Sequence, residues 1–193
     1  MTDEAMQEKK NTTANEVKEV KTVTEIANIP FEAFNKYRTA RKMLLKEMGV
    51  SSSNRDPLSE LSEVIASVKL NAKRVNNRVN KDYDLIGPDG ERIEVKYVAN
   101  PVENDKIVWK NWHEVKFDRE ERDKYALVVY LDLNPTAMFV FSKGKMQELC
   151  NRLGKRHKHQ QWMLQFTVSD YKRLLEGREK FIDIGLQVFD NLV

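Results

Sequence analysis

The order of predicted elements along the chain indicates an α/β (α+β) fold, in which helices flank a mixed central sheet. Residues 56–68 have the apolar spacing of a helix, and residues 81–98 alternate as a β-hairpin does. The segment KYALVVYLDL (124–133) is a near-continuous apolar run, typical of a strand that is buried on both faces. The expected organisation is a flexible N-terminal arm at 1–27, an N-terminal helical extension with its linker at 28–55, and the main domain at 56–193.

Composition narrows the class of protein. The chain has 193 residues, of which 40% are hydrophobic and 33% charged, so it can form one sizeable core and is not wholly disordered. No segment approaches the roughly 18 apolar residues of a spanning helix, and the polar N-terminus lacks the apolar part of a secretory signal. The single cysteine, Cys150, excludes a disulfide framework and a four-cysteine zinc site. We therefore expect a cytoplasmic protein without a membrane partner.

Local signals place two helices in the first third of the chain. Pro30 is expected to open a helix that runs to about Met48, because proline fits the first turn of a helix. Asp56 followed by Pro57 predicts a second helix, with an N-cap and then proline at the first helical position. The apolar residues that recur at intervals of three and four predict one buried stripe on this second helix: Leu58, Leu61, Ile65 and Val68.

The second half of the chain contains further strands and helices. AMFVFS (137–142) is expected to form a strand after a turn at Asn134-Pro135-Thr136. The tail then predicts a helix at about 144–153, a strand near WMLQFTV, a short helix from Asp170 to Glu176 and a final strand in FIDIGLQVF.

Basic residues are concentrated in two stretches. Residues 69–81 contain five basic side chains and no acid, and residues 143–159 have a local charge of +5, whereas the whole chain has a charge of only +3. Such stretches indicate either a surface that faces a polyanion or a plain solvated face. The residues expected to contact such a polyanion are Lys73, Arg74, Asn77, Arg78, Lys155, Arg156 and Lys158.

The predicted hairpin contains the sharpest functional signal. Glu94 and Lys96 are two positions apart on a strand and therefore emerge on the same face. The sequence GPDG (87–90) favours a three-residue loop, with a type I turn on Pro-Asp and the last glycine in a G1 bulge. That loop places Asp84 opposite Glu94. Two carboxylates and an ammonium then lie together, an arrangement that a divalent cation stabilises.

Asp84, Glu94 and Lys96, preceded by an acidic helix, resemble the PD-(D/E)xK nuclease superfamily, whose fold is shared by many restriction endonucleases. The segment 62–98 looks like the helix and hairpin that begin that core, and the apolar run 124–133 fits the next core strand. The resemblance covers about residues 60–142 and implies a restriction endonuclease-like core. The proline of the motif is replaced here by Tyr83.

The resemblance implies a Mg²⁺-dependent DNA endonuclease of the restriction or mobile-element defence type, in which Mn²⁺ is expected to substitute for Mg²⁺. Asp84 and Glu94 would ligate the metal, with the Val95 carbonyl as a candidate third ligand. Lys96 would orient or activate the attacking water. Glu63, or with less support Glu60, would match the acid of the first core helix. Double-stranded DNA is the implied partner, and a homodimer would allow cleavage of both strands.

Other functions stay open from the residues alone. A catalytically silent DNA-binding or regulatory protein on the same fold is opposed only by the intact set of Asp84, Glu94 and Lys96. An enzyme that acts on small phosphates is disfavoured by the two basic stretches and by the lack of a glycine-rich phosphate loop. In a purely structural interpretation, Glu94 and Lys96 decorate the solvated face of a hairpin. No residue pattern indicates a partner methyltransferase.

Overall fold

The computed structural model describes residues 23–75, 83–108, 113–116, 121–155 and 163–192. The helices in these ranges are α1 (Val23–Glu47), α2 (Pro57–Lys69), α3 (Met146–Arg152) and α4 (Val168–Glu176), and 3-10 helices cover Lys143–Lys145 and Arg178–Ile184. The strands in the same ranges are β1 (Lys73–Arg74), β2 (Leu85–Ile86), β3 (Arg92–Asn100), β4 (Val102–Glu103), β5 (Lys106–Ile107), β6 (His113–Lys116), β7 (Lys124–Leu131), β8 (Asn134–Ser142), β9 (Met163–Phe166) and β10 (Gln187–Phe189).

The central sheet has six strands in the order β1-β2-β3-β7-β8-β10. Its two middle strands, β3 and β7, run parallel, whereas every other neighbouring pair is antiparallel. The chain between β3 and β7 contributes the small β4–β5 hairpin and strand β6, which pairs with β9 in a separate two-stranded sheet. The expected α/β (α+β) class with a mixed central sheet is therefore confirmed.

Both faces of the central sheet are covered. One face packs against α2, which contributes Ala66 to a cluster with Leu85, Ile93 and Val95. The other face packs against α3, α4 and β9, around Phe139 and other aromatic residues. Residues 125–130 of β7 are all buried, as a strand in the middle of two layers must be. The predicted burial of the apolar run is thus confirmed, and Cys150 lies in the second cluster.

The first helix begins earlier than the sequence predicts. It starts at Val23 rather than at Pro30, so the proline lies within the helix and removes one backbone hydrogen bond. The chain divides into two compact units, Met1–Arg41 and Lys42–Val193. Among the described residues, no helix combines the length and the apolar composition that crossing a membrane requires.

The start of α2 is confirmed, and its predicted apolar stripe is confirmed in part, because Leu58, Leu61 and Ile65 pack, partly buried, against the core cluster. The Asp56 side chain accepts a hydrogen bond from Leu58 N at 2.7 Å, and Pro57 occupies the first turn. Val68, expected in the buried stripe, is 72% exposed. The fully buried positions of α2 also include Glu60 and Glu63, which the sequence does not predict. These two acids tolerate burial because arginines from outside the helix pair with them.

Two corrections concern the second half of the chain. The turn between β7 and β8 lies at Asp132 and Leu133, which both have positive φ, and residues 134–136 already belong to β8. The segment FIDIGLQVF forms a strand only at its end, because its first part is a 3-10 helix. Phe181 and Ile184, three residues apart, are buried there, as the period of a 3-10 helix requires. The predicted helices near 144–153 and 170–176 and the strand near 163–166 are confirmed.

Candidate active site

The β2–β3 hairpin has the loop that its sequence predicts. Gly87 N donates to Glu91 O at 2.9 Å, and Gly90 N donates to Gly87 O at 3.0 Å. Gly90 has a φ of 84°, the left-handed conformation that a G1 bulge requires. In the resulting register Leu85 pairs with Ile93. The predicted three-residue loop is therefore confirmed, but the regular pairing ends at Leu85 and Ile93, before the predicted pairing of Asp84 with Glu94.

At the open end of the hairpin, the side chain of Asp84 replaces part of the backbone ladder. Asp84 N donates to Ile93 O at 2.9 Å, so Asp84 and Leu85 both lie opposite Ile93, as in a β-bulge. The Asp84 carboxylate oxygen Oδ2 accepts a hydrogen bond from Val95 N at 2.8 Å. This bond fixes the carboxylate at the peptide that joins Glu94 to Val95.

Glu94 is 5% exposed and is bound by two cationic side chains. Lys96 Nζ contacts one carboxylate oxygen, Oε1, and Arg122 Nη2 lies 3.2 Å from the other, Oε2. The Arg122 guanidinium is buried and lies 6.0 Å from the centroid of the Tyr125 ring. Lys96 is 45% exposed. Glu94 and Lys96 therefore share a face, as their spacing predicts, and only the lysine of the pair reaches solvent.

The carboxylate of Asp84 is held in an unfavourable electrostatic environment. Its pKa is raised from 3.8 to about 6, first by burial and next by the negative charge of Glu94. The charge of Glu63 raises the pKa further, whereas the hydrogen bond from Val95 N and the charge of Lys96 lower it. Near neutral pH the site thus holds a buried negative charge that its surroundings do not fully compensate. A cation bound between Asp84 and Glu94 would relieve this repulsion.

Glu63 lies in a second, adjacent cluster of buried charges. Arg55 contacts Oε1 of Glu63, and Arg74 Nη2 lies 2.7 Å from Oε2. The neighbouring Glu60 accepts hydrogen bonds from Arg74 at 2.6 Å and from Ser53 at 2.7 Å. Both carboxylate oxygens of Glu63 are thus bound by arginine. The role of Glu63, or of Glu60, as the acid of the first core helix stays a prediction.

The residues expected to contact DNA have different surroundings. Lys73 is exposed at the edge of the sheet. Arg74 is bound to the two acids of α2, and Lys155 Nζ lies 2.7 Å from the Asp170 carboxylate with its side chain 12% exposed. Their contact with nucleic acid stays a prediction. The remaining four lie outside the described residues: Asn77, Arg78, Arg156 and Lys158.

The donor atoms near Asp84 are of the type that Mg²⁺ prefers. Among the described residues, no three histidine, cysteine, aspartate or glutamate side chains come together around a metal position, so Asp84 and Glu94 would need a backbone donor. Val95 N faces Asp84. Because the N–H and C=O groups of one strand residue project to the same edge, the Val95 carbonyl faces that side as well. Two carboxylates and this carbonyl, completed by water, fit a hard cation.

Sequence reasoning missed Arg122, which is the residue that holds Glu94 from the neighbouring strand. It lies just before β7, and it reaches Glu94 because β7 runs parallel to β3 with Tyr125 beside Glu94. Its signal in the sequence is a basic residue at the start of the buried run 124–131. That signal gains meaning only once the pairing of β3 with β7 is known.

Comparison of the chain with protein-family models and with curated protein sequences gave no match.

Proposed function

We propose that this protein is a Mg²⁺-dependent DNA endonuclease on a restriction endonuclease-like core, with the site at Asp84, Glu94 and Lys96. The observation that carries the proposal is the hairpin register, which holds two buried carboxylates and a half-exposed lysine side by side. Burying Asp84 next to Glu94 costs stability, and natural proteins keep such costly arrangements at functional sites.

The chemistry is hydrolysis of a phosphodiester: water attacks phosphorus, the bond from phosphorus to the leaving oxygen breaks, and that oxygen takes up a proton. A Mg²⁺ ion held by Asp84, Glu94 and the Val95 carbonyl would supply the positive charge that stabilises the phosphorane-like transition state and the leaving oxygen. Lys96 has its ammonium at the solvent side of the site, where it can orient the attacking water. Arg122 keeps Glu94 in place from the buried side.

Double-stranded DNA is the proposed substrate, and restriction or mobile-element defence is the proposed setting. The support is electrostatic: the basic stretch 69–81 contains no acid and directly precedes the hairpin that carries Asp84 and Glu94. Basic residues at such a place would bind the phosphate backbone on either side of the scissile bond. One site cuts one strand, so cutting both strands calls for two copies of the chain.

Nicking of supercoiled plasmid tests the proposal. We expect the purified wild-type protein to convert plasmid to open-circular or linear DNA with Mg²⁺ or Mn²⁺ and not with EDTA. Asp84→Asn should lose at least about a hundredfold of that rate, as expected when a metal ligand is removed. Asp89→Asn is the matched control, because Asp89 is an exposed carboxylate in the turn of the same hairpin.

The two variants separate the proposal from a contaminating nuclease. Equal nicking by wild type, Asp84→Asn and Asp89→Asn would contradict the site assignment. Loss in both variants would show that the hairpin, rather than the Asp84 carboxylate, had been disturbed. Only selective loss in Asp84→Asn supports the proposed role.

A catalytically silent DNA-binding protein is the second candidate, and one observation favours it. Both carboxylate oxygens of Glu94 are bound by cationic side chains, Lys96 and Arg122, so Glu94 is compensated without a metal. In that case the wild-type protein should shift DNA in a gel without cutting it at any Mg²⁺ or Mn²⁺ concentration. Asp84→Asn should then bind DNA as wild type does.

A further inference from the structure

Arg55 lies directly before the N-cap of α2 and is held there by several contacts. Its Nη1 contacts Oε1 of Glu63, and its Nη2 donates to Ser59 Oγ at 2.7 Å. Its backbone N donates to Ser53 Oγ at 3.2 Å. The guanidinium and the backbone of Arg55 are thus each fixed, although the residue lies outside the helix.

Arg55 is linked to Asp84 through Glu63. Arg74 of β1 binds the second carboxylate oxygen of Glu63 at 2.7 Å. The residue after Arg74 is Val75, whose N donates to Asp84 O at 3.0 Å. Burial lowers the pKa of Arg55, but the hydrogen bond and the charge of Glu63, and after them the charge of Asp84, raise it above its ordinary value. The charge of Asp84 therefore reaches the guanidinium of Arg55.

Among the described residues, Arg55 is the most exposed of the three arginines that bind the acids around Asp84. Its side chain is 40% exposed, whereas those of Arg74 and Arg122 are 24% and 9% exposed. The side chain of Lys96 is exposed to a similar extent, at 45%. A molecule that enters the site from solvent would therefore meet Arg55 and Lys96 before the two buried arginines.

A fixed and partly exposed arginine is suited to binding phosphate. Its planar guanidinium matches two phosphate oxygens at once. Because Glu63 and Ser59 already hold the side chain, binding costs little of the conformational entropy that a long side chain normally loses. Phosphodiesters repeat along each DNA strand, so a strand that is cut at Asp84 carries a second phosphate on either side of the reacting one.

We propose that Arg55 binds a DNA backbone phosphate next to the scissile one, and that Glu63 is a positioning residue that holds Arg55 for this contact. The inference rests on the proposed nuclease function and adds a substrate-binding residue to it. It gives Glu63 a task that agrees with its contacts, because arginines bind both of its carboxylate oxygens.

The salt dependence of DNA binding tests the contact without any hydrolysis. The full chain and its Arg55→Gln variant are titrated with a fluorescently labelled duplex in EDTA, and the affinity is measured over a roughly tenfold range of salt. Loss of one phosphate contact should lower the slope of log K against log[salt] by about 0.9. Over that range wild type should therefore gain about eightfold more affinity than the variant does.

Arg178→Gln is the matched control. Arg178 is also a partly exposed arginine with a carboxylate partner, since its side chain is 52% exposed and its Nη1 lies 2.9 Å from Asp190. Asp190 follows β10, at the opposite edge of the central sheet from β1. This variant should keep the wild-type slope. Arg55→Lys keeps the charge and should restore the slope, whereas a purely structural role of Arg55 would change the melting temperature and leave the slope alone.

Plasmid nicking with Mg²⁺ tests the task of Glu63. Arg55→Gln should raise KM and leave kcat within about twofold, as expected when a contact to the substrate is removed. Glu63→Gln should also raise KM, and it should raise KM no further when Arg55 is already glutamine, because it acts through Arg55. A fall in kcat when Glu63→Gln is added to Arg55→Gln would overturn the positioning role.

A measurement on wild type alone checks the contact independently of how the variants fold. Phenylglyoxal modifies accessible arginines, and mass spectrometry locates the modified residues. Bound duplex should slow the modification of Arg55 and leave that of Arg178 unchanged. Equal modification of Arg55 with and without duplex would overturn the proposal.

The outcomes distinguish this inference from the proposed function. Equal slopes for wild type and Arg55→Gln, or an equal drop in Arg178→Gln, overturn the Arg55 contact even if wild type nicks plasmid. A wild type that binds DNA with an Arg55-dependent slope but never nicks supports the phosphate contact and contradicts the nuclease. A wild type that does not bind DNA overturns both.

Discussion

Replacing Asp84 with asparagine should make the metal-free protein more stable. The pKa of Asp84 is about 6 in the folded protein against 3.8 for the ordinary side chain, with burial and the charge of Glu94 as the causes. A gap of about 2 pH units corresponds to about 3 kcal/mol of folding free energy above both values. Asp84 is only 9% exposed, so solvent screening removes little of this penalty.

The pH dependence of this penalty has a definite sign. Between the two pKa values the folded protein keeps a proton on Asp84 that the unfolded chain has released, so wild-type stability falls as the pH rises through that window. Below pH 3.8 the carboxyl is protonated in both states and the penalty vanishes. Asparagine does not ionise. The extra stability of Asp84→Asn should therefore be near zero at the acidic end and complete above the folded-state pKa.

The net gain should be smaller than the full penalty. The asparagine amide oxygen can still accept the hydrogen bond from Val95 N, but its amide N–H group needs a new partner among the same neighbours. We therefore expect a gain of about 1–3 kcal/mol at neutral pH, which raises the melting temperature by about 3–9 °C for a chain of this length.

Thermal unfolding in EDTA across the pH range measures this gain, with Asp89→Asn as the exposed control. Mg²⁺ should raise the melting temperature of wild type and leave that of Asp84→Asn nearly unchanged. A variant that is less stable than wild type at neutral pH would refute the reasoning. So would a difference in stability that is the same at every pH.

Three further predictions concern Glu94, Asp89 and Leu133. Glu94→Gln should destabilise the protein by about 1–3 kcal/mol in urea unfolding, because it removes the buried negative charge that lies 3.2 Å from Arg122 Nη2. A neutral effect would contradict a stabilising contact between these two side chains. Deleting Asp89 should shorten the loop to two residues and turn Asp84 away from Glu94. We expect this variant to unfold cooperatively but to nick plasmid no better than Asp84→Asn does. Near-normal nicking would contradict the proposed register. Leu133→Gly should raise the free energy of unfolding by about 1 kcal/mol, because Leu133 has a strained φ of 65° and its side chain is 68% exposed. A lower urea midpoint than that of wild type would show that the Leu133 side chain stabilises the fold.

The parts of the site that follow from sequence are those set by local chemistry. Gly-Pro-Asp-Gly at 87–90 specifies one loop length and conformation, and the loop length determines which residues of the hairpin face each other. The cap of α2 follows in the same way from Asp56 and Pro57. In each case the residues that decide the structure lie within a few positions of the feature they decide.

The features of the site that could not be predicted from the sequence depend on contacts between distant segments. In the sequence, Glu60 and Glu63 are polar residues beside the apolar stripe of α2. They tolerate burial because Arg55 and Arg74, which lie outside the helix, form ion pairs with them. Arg122 reaches Glu94 through the parallel pairing of two strands that are separated by a long connection. Periodicity within one segment carries no information about such partners.

The negative charges of Asp84 and Glu94 are balanced by nearby cationic groups to different extents, and this difference is relevant to the proposed function. One carboxylate oxygen of Glu94 contacts the buried Arg122, and the other contacts Lys96, whose side chain is 45% exposed. Arg122 therefore holds Glu94 in place, whereas Lys96 can move into solvent at little cost in solvation free energy. Among the described residues, Asp84 accepts its hydrogen bond from a backbone N–H and not from a cationic side chain, and its pKa is raised first by burial and next by the charge of Glu94. A cation entering between them would gain most of its electrostatic attraction from Asp84. It would also separate the Lys96 ammonium from Glu94, which leaves that ammonium available to orient the attacking water in the proposed hydrolysis.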